Sequence, residues 1–141
     1  MNQQEIMSIL PHRNSMLLLE NVVLENSIAK GTYAFRGDEW FFQGHFPDNP
    51  IAPGLILCEV IAQTACILVF QYADENTVPY LVALDRTRFH SDVRPGDLYE
   101  TSCKIVKIKK PFFFFEGVGS VGQKVCVKTN FSIALLSNKN Q

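Results

Sequence analysis

The segment that most constrains the fold of this chain is a long apolar stretch, Leu55–Tyr72, which predicts a helix. The stretch is apolar on almost every side, so the helix should be buried over most of its surface. Its most apolar part, Leu55–Phe70, is interrupted by Glu59, Gln63 and Thr64, whereas a membrane-spanning helix needs about 20 apolar residues. We therefore expect a core helix and no membrane contact, with Glu59 and Gln63 four positions apart on one face.

Strands are predicted on both sides of this helix, because the flanking segments are rich in β-branched and apolar residues and end at turn-forming residues. The predicted strands are Leu17–Glu25, Ile28–Arg36, Tyr80–Asp85 leading into Arg86–His90, Leu98–Ile108, Phe112–Val118 and Lys124–Leu135. A change of alternation near Ile105-Val106 indicates a β-bulge. No strand–helix unit repeats, so the sheet should be mostly antiparallel. We predict an α+β fold of one domain, residues 1–141, with the sheet wrapped around one long central helix.

The last predicted strand shows the clearest alternation of apolar and polar residues. Its apolar set is Val125, Val127, Phe131, Ile133 and Leu135, and its polar set is Lys124, Lys128, Asn130 and Ser132. A period of two predicts that the whole apolar set faces the core. The polar segment beyond it, Ser137–Gln141, is predicted to fray.

Composition narrows the class of protein further. The four cysteines, Cys58, Cys66, Cys103 and Cys126, form no C-x-x-C pair and lie in apolar segments, which predicts buried thiols without a metal or a disulfide. The first residues lack the basic and apolar regions of a secretory signal, so we expect a cytoplasmic protein.

Charge is distributed unevenly along the chain, although the net charge is only −1. Residues 1–100 carry 6 basic and 13 acidic side chains, whereas residues 101–141 carry 7 basic and 1 acidic. The basic side chains are too few and too scattered to predict a nucleic-acid site. A basic final third is compatible with an acidic protein partner and equally with solvated strand faces.

The chemically informative segment is FFQGHFPDNPIAPGLILCEVIAQTA, residues 41–65. His45 lies among phenylalanines, which favour the neutral imidazole that accepts a proton. Gly54 begins the predicted helix, where a free N–H and the helix dipole polarise a carbonyl oxygen. Glu59 is a carboxylate in an apolar helix and needs a partner or a purpose. Together these groups suit removal of a proton beside a carbonyl with protonation of a leaving hydroxyl. From spacing alone, however, a packed core histidine and an ion-paired glutamate are the more usual explanation.

Three segments together resemble a known family. GHFPDNPIAPG followed by Glu59 and Ala62-Gln63, LPHRNSMLLLENV at 10–22 and LVALDRTRFHSDVRPGD at 81–97 resemble the (3R)-hydroxyacyl-acyl-carrier-protein dehydratases of type II fatty acid synthesis. The resemblance implies the hotdog fold and a hydro-lyase that forms a trans-2-enoyl thioester without a cofactor or a metal. It implies that His45 removes the C2 proton, that Glu59 protonates the departing C3 hydroxyl, and that the Gly54 N–H binds the thioester carbonyl.

The resemblance also implies partners. Two subunits pair their sheets, and each site takes its histidine from one chain and its acid from the other, so a homodimer or a trimer of dimers is expected. The substrate arrives on the phosphopantetheine arm of an acidic acyl carrier protein. The predicted docking residues are Arg88, Arg94, Lys107, Lys109 and Lys110.

Several further residues receive expected roles. Gln63 shares the face of Glu59, and both support of the site and a purely structural role stay open. Phe112–Phe115 is expected to be plain core more than acyl-tunnel lining, His12 and Arg13 to serve packing, and His90 to lie on the surface.

Two departures from the family pattern, Asp48-Asn49 and Glu20, leave open a specialised acyl or polyene pathway in place of housekeeping synthesis. Two alternative functions also remain at this stage. One is a hotdog thioesterase, and the other is a non-catalytic subunit that binds an acyl carrier.

Overall fold

A single antiparallel sheet curls around one long helix in the computed structural model, which describes residues 1–138. The strand order is β1-β2-β4-β5-β6-β3. The strands are β1 (Asn21–Glu25), β2 (Ile28–Ala34), β3 (Thr77–Phe89), β4 (Leu98–Lys109), β5 (Phe112–Val121) and β6 (Lys124–Ser137). The helices are α1 (Gln3–Met7) and α2 (Gly54–Val69), with 3-10 turns at Asn14–Met16, Trp40–Phe42 and Phe70–Tyr72. Residues 139–141, most of the tail predicted to fray, lie outside the described part of the chain.

The central helix α2 confirms the predicted core helix and the α+β hotdog arrangement. It begins after Pro53, which leaves the first turn without a side-chain cap, and it tightens into the 3-10 turn that ends at Tyr72. By length and composition alone, Gly54–Tyr72 is apolar enough to cross a membrane, but 67% of that stretch is buried inside the protein. Burial on this scale is what the apolar run predicted for a helix enclosed by a sheet.

The sheet approaches α2 closely and is hydrogen-bonded to it. A Cβ atom on Gly119 would overlap the ring and hydroxyl of Tyr99, so only glycine leaves room for that side chain. The Tyr99 hydroxyl donates to the carbonyl of Leu57 at 3.1 Å. Nearby, the hydroxyls of Thr64 and Thr101 lie 2.7 Å apart. These contacts fix the position of the helix, and hence of its functional side chains, against the sheet.

Two details of strand register bear on the predictions. The bulge expected near Ile105-Val106 is present, because the β4–β5 register shifts between Ile105 and Lys107. The predicted unbroken alternation of β6 is wrong at Val125, because the β5–β6 register shifts there and places Val125 on the opposite face from Val127. An inserted residue reverses which side of the sheet each following side chain faces.

Candidate active site

His45 lies in the loop that follows the Trp40–Phe42 turn. Its ring Nδ1 is 3.1 Å from the carbonyl oxygen of Ile51. A carbonyl only accepts, so in the neutral imidazole Nδ1 carries the proton and Nε2 keeps its lone pair. The ring stacks on Phe46 with 4.3 Å between centroids. Nε2 has no hydrogen-bond partner within residues 1–138, so the basic nitrogen is free to receive a proton.

Gly54 begins α2 beside His45. As the first helical residue it has no intrahelical acceptor for its N–H, and Pro53 offers no side-chain cap. A Cβ atom here would lie 2.6 Å from the ring of Phe89, so a larger residue would displace that ring. His45, Gly54 and Phe89 line an open pocket of about 540 Å³, whose other lining residues are Ile51, Ala52, Leu55, Leu57, His90, Ser91 and Asp92. One pocket therefore presents a base and a backbone donor together.

Glu59 faces a different and much smaller pocket. Its side chain is 23% exposed, and its Oε2 lies 3.4 Å from His12 Nε2. The same oxygen accepts a hydrogen bond from Gln63 Nε2 at 2.8 Å. The pocket measures about 50 Å³, and its other lining residues are Ala62, Cys66, Pro79, Leu81 and Ile133. Glu59 Oε1 accepts no hydrogen bond from residues 1–138, which leaves one carboxylate oxygen for a ligand.

Gln63 is the best-connected polar side chain of the site and is only 1% exposed. Its Oε1 accepts the backbone N–H of Leu18 at 3.0 Å, and its Nε2 donates to the carbonyl of Met16 at 2.7 Å as well as to Glu59. Gln63 thus ties the segment before β1 to α2 and holds Glu59 at the same time. Both roles left open by the sequence have contacts in the structure.

The predicted pair His45 and Glu59 does not meet within one chain, since the two side chains line separate pockets. Glu59 follows Gly54 by five residues, which on an α-helix is a rotation of about 140°. His45 and Gly54 therefore lie on one side of α2, and Glu59 lies on another.

Strand β3 runs from one pocket to the other. Phe89, at its end, lines the His45 pocket, whereas Pro79 and Leu81, near its start, line the Glu59 pocket. β3 is an edge strand that pairs only with β6 among the described strands. Several of its apolar side chains are exposed, including Leu81 at 44% and Val82 at 51%. A long apolar edge of this kind is a template for pairing with another chain.

The five predicted docking residues form two groups. Arg88 and Arg94 lie at the His45 end of β3; Arg94 contacts Asp92 at 2.9 Å and Asn49 at 2.7 Å. Arg88 sits across from Lys128 on β6, a basic neighbour that sequence reasoning missed.

The second group lies at the far end of the sheet. Lys107 and Lys109 lie in the last three residues of β4, and Lys110 follows in the turn. Lys107 covers the ring of Phe114 at 5.6 Å, and Lys110 covers that of Tyr72 at 5.5 Å. Lys107 lines a pocket together with Arg86, so it lies nearer to Arg88 than Lys109 and Lys110 do.

Two histidines lie closer to the candidate site than expected. His12, expected to serve packing, contacts Glu59. His90 is exposed as expected, but it also lines the His45 pocket. Neither histidine lies at a regular spacing from residues 41–65, so spacing could not place it near the site. Each lies in a segment that carries the family resemblance, 10–22 or 81–97, and that is the only signal the sequence offers.

The remaining expectations concern the core. Phe113 and Phe115 are each 1% exposed, which confirms core packing for these two. All four cysteines are free and buried. Burial raises the pKa of Cys58 to about 11 and, helped by Glu59, that of Cys66 to about 12, so both stay protonated thiols at neutral pH. Within residues 1–138, no group of three or more His, Cys, Asp or Glu side chains is placed to hold a metal ion.

Comparison with known proteins identifies the family of this chain. The family model described as "FabA-like domain" matches residues 10–130. The 3-hydroxyacyl-[acyl-carrier-protein] dehydratase FabZ of Petrotoga mobilis is 38% identical over 138 residues, which cover 96% of this chain and 98% of that protein.

Solved structures support the fold. The dehydratase heterocomplex ApeI:P from Xenorhabdus doucetiae contains a chain that superposes with a TM-score of 0.79 at 17% identity, covering 94% of this chain and 91% of that chain. The fluoroacetyl-CoA thioesterase FlK superposes with a TM-score of 0.70 at 6% identity, covering 79% and 87%. The fold is thus shared by proteins of different activity, and assignment depends on the sequence match. By that match, the chain belongs to the FabA-like family and, within it, to the 3-hydroxyacyl-[acyl-carrier-protein] dehydratases.

Proposed function

We propose that this protein removes water from a (3R)-3-hydroxyacyl-[acyl-carrier-protein] and releases the trans-2-enoyl-[acyl-carrier-protein] in fatty acid or related acyl biosynthesis. The observation that carries the proposal is the 38% identity to a FabZ dehydratase along nearly the whole of both chains. The site supports it, because a free imidazole nitrogen, an unpaired helix N–H and a half-buried carboxylate are the groups that this elimination needs.

The three groups have complementary roles in this proposal. His45 Nε2 takes the proton from C2 while the N–H of Gly54 stabilises the negative charge that develops on the thioester oxygen. Glu59 gives a proton to the C3 hydroxyl, and the C3–O bond breaks as the C2–C3 double bond forms. Water leaves, and the proton held by His45 returns Glu59 to its acid form through solvent. The protein is a hydro-lyase in this scheme and needs no external electron donor or acceptor.

A dimer completes the site in this proposal. Two β3 edges that pair antiparallel about a two-fold axis place the Phe89 end of one strand beside the Leu81 end of the other. Such pairing sets the His45 pocket of one chain next to the Glu59 pocket of its partner. The exposed apolar side chains of β3 support this interface, and a trimer of such dimers is a larger assembly that preserves it.

The acidic carrier protein is proposed to dock near the mouth of the His45 pocket. Arg88 directly precedes Phe89 in the pocket wall and, with Lys128, forms a basic pair there. Arg94 lies close by, but its guanidinium is already engaged by Asp92 and Asn49. Lys109 and Lys110 lie at the other end of the sheet, and Lys107 lies between the two ends beside Arg86, so these three are the weaker candidates. A cytoplasmic location accords with this partner.

The thioesterase alternative is not favoured, because its structural neighbour is only 6% identical and shows the fold alone. A non-catalytic subunit is not favoured either, because both His45 and Glu59 are present with free reactive atoms.

The test is to incubate the protein with a 3-hydroxyacyl thioester on a carrier protein and to follow the enoyl product. His45→Ala and Glu59→Ala should each lower turnover by about 10²–10⁴-fold, the usual contribution of a positioned acid or base. Glu25→Ala, which removes an exposed glutamate at the β1–β2 turn, is the matched control. Unchanged dehydration in either active-site variant would overturn the mechanism, and release of free thiol without enoyl product would establish the thioesterase.

Mixed dimers test the shared site. His45→Ala and Glu59→Ala chains carrying different tags are co-expressed and purified through both tags. Each mixed dimer then has one intact and one doubly defective site, so about half of the wild-type activity should return. Activity as low as that of the separate variants would show that each site is contained in one chain.

A further inference from the structure

We propose that His12 is a positioning residue for the acid of this site. It holds Oε2 of Glu59 together with Gln63, so that Oε1 is the oxygen that meets the substrate hydroxyl. The inference rests on the proposed dehydratase function and adds a residue and an atom assignment to it.

The first support is the convergence of two nitrogen atoms on one oxygen. Gln63 Nε2 lies 2.8 Å from Glu59 Oε2, and His12 Nε2 lies 3.4 Å from the same atom. Oε1 accepts no hydrogen bond from the described residues. A carboxylate with one oxygen anchored and the other free presents a defined oxygen to a ligand.

The second support is the way the segment around His12 is held. The guanidinium of Arg13 donates to the carbonyls of Leu10 and His12, both at 2.7 Å, and to that of Met7 at 2.9 Å. Leu10 is 2% exposed and anchors the segment in the core. The backbone on both sides of His12 is therefore held in place. Arg13 has a structural role here, because its guanidinium makes these hydrogen bonds. A fixed backbone is what a residue that orients a reactive group requires.

The third support is the tautomer that the surroundings select. Nδ1 of His12 is buried and has no hydrogen-bond partner within residues 1–138. A proton placed there would be a buried donor without an acceptor, which is costly. The favoured neutral tautomer carries its proton on Nε2, the atom that faces Glu59.

The contact is a few tenths of an ångström longer than the usual N–H···O hydrogen bond of about 2.7–3.2 Å. Hydrogen bonds of catalytic groups are often long without substrate and tighten in the complex. A small rotation of the imidazole brings Nε2 within bonding distance of Oε2.

A consequence is that each half of the site has its own support. His12, Glu59 and Gln63 belong to one chain, whereas the proposed dimer supplies His45 from the partner. A substitution of His12 should therefore impair only the site that uses the Glu59 of the same chain.

The experiment compares His12→Gln with His12→Asn in the dehydration assay. A glutamine amide nitrogen reaches the position of Nε2 and can donate to Glu59, whereas an asparagine amide reaches only the position of Nδ1. His12→Asn should lower kcat by about 10–100-fold with KM within about two-fold of wild type, because a misplaced catalytic group costs up to about 10²-fold. His12→Gln should recover most of the lost kcat. His12→Leu, which removes the donor without burying a new polar group, should match His12→Asn.

The outcomes separate this inference from the proposed function. A wild-type protein without dehydratase activity means that the proposed function has failed. An active wild type with equally active His12→Asn and His12→Leu overturns the role of His12. The same follows if His12→Gln is as impaired as His12→Asn, or if the loss lies in KM alone. Thermal unfolding of each variant identifies losses that come from misfolding.

Mixed dimers supply a measurement whose result a purely structural role of His12 would not change. His12→Asn paired with His45→Ala keeps one site with His12, Glu59 and the opposite His45 intact, so about half of the activity should return. His12→Asn paired with Glu59→Ala has no such site and should stay low. Equal activity in the two mixed dimers overturns the inference.

Discussion

Replacing Gln63 by leucine should show how much this side chain contributes to stability and how much it contributes to turnover. Leucine has a similar volume, so the packing of α2 changes little, but the three hydrogen bonds of the amide disappear. Leu18 is 2% exposed, and leaving its N–H without an acceptor costs about 1–3 kcal/mol. Met16 is 40% exposed, so water can replace the lost bond to its carbonyl.

The remaining loss is the hydrogen bond to Glu59. A hydrogen bond between two side chains contributes about 0.5–1.5 kcal/mol net. Together these terms predict a loss of about 2–4 kcal/mol in the free energy of unfolding. For a chain of this length, that is a fall of about 5–15 °C in Tm.

Differential scanning calorimetry and denaturant titration measure the change, with Gln123→Leu as the control for the same exchange in the exposed β5–β6 turn. The enoyl-forming assay should show a lower kcat for Gln63→Leu at a temperature where the variant is folded, because Oε2 of Glu59 loses its closest donor. A Tm within about 2 °C of wild type would refute the hydrogen-bond reasoning. A normal kcat with a lowered Tm would leave Gln63 with only its structural role.

Two further predictions concern the fold around the site. Gly119→Ala should destabilise the protein by about 1–3 kcal/mol in denaturant unfolding, because its methyl group overlaps Tyr99, whereas Gly44→Ala, at a position with open space, should lack this clash and serve as the control. Burial of Glu39 raises the pKa of its carboxyl, but hydrogen bonds from the N–H groups of Gly37 and Arg36 and from the Tyr33 hydroxyl outweigh burial and lower it below 4.5. The stabilisation by the ionised carboxylate is present above that value and is lost as pH falls through the folded pKa. Glu39→Gln should therefore have a lower free energy of unfolding than wild type at pH 7, and the difference should shrink in acid. A difference that does not change with pH would contradict this.

Most of the architecture could be predicted because hydrophobic burial leaves a periodic signal. The run that forms α2 is apolar on almost every side, which predicts a helix enclosed by the rest of the chain, and the flanking strand signals predict that a sheet encloses it. The prediction failed where a local irregularity shifts the period. Val125 continues the apolar pattern of β6 in the sequence, but the register shift beside Ser120 turns it to the other face. Nothing in the composition of residues 124–127 identifies that inserted residue.

The same reasoning explains what was missed at the site. His45, Gly54 and Glu59 lie within 15 residues of each other, so one motif contains them all. His12 precedes Glu59 by 47 residues and meets it only because the segment before β1 crosses α2. Contacts of this kind depend on how distant segments pack, and no period or local spacing encodes them.

The proximity of His45 and Glu59 in sequence is itself misleading about the site. Glu59 follows His45 by fourteen positions, yet within one chain they line different pockets on different sides of α2. About 140° of helix rotation separates Gly54 from Glu59, so a loop that holds His45 beside Gly54 keeps it away from Glu59. Strand β3 borders both pockets and pairs only with β6 among the described strands. The proposed dimer would bring the two pockets together across this edge, and the mixed-dimer measurements test that geometry directly.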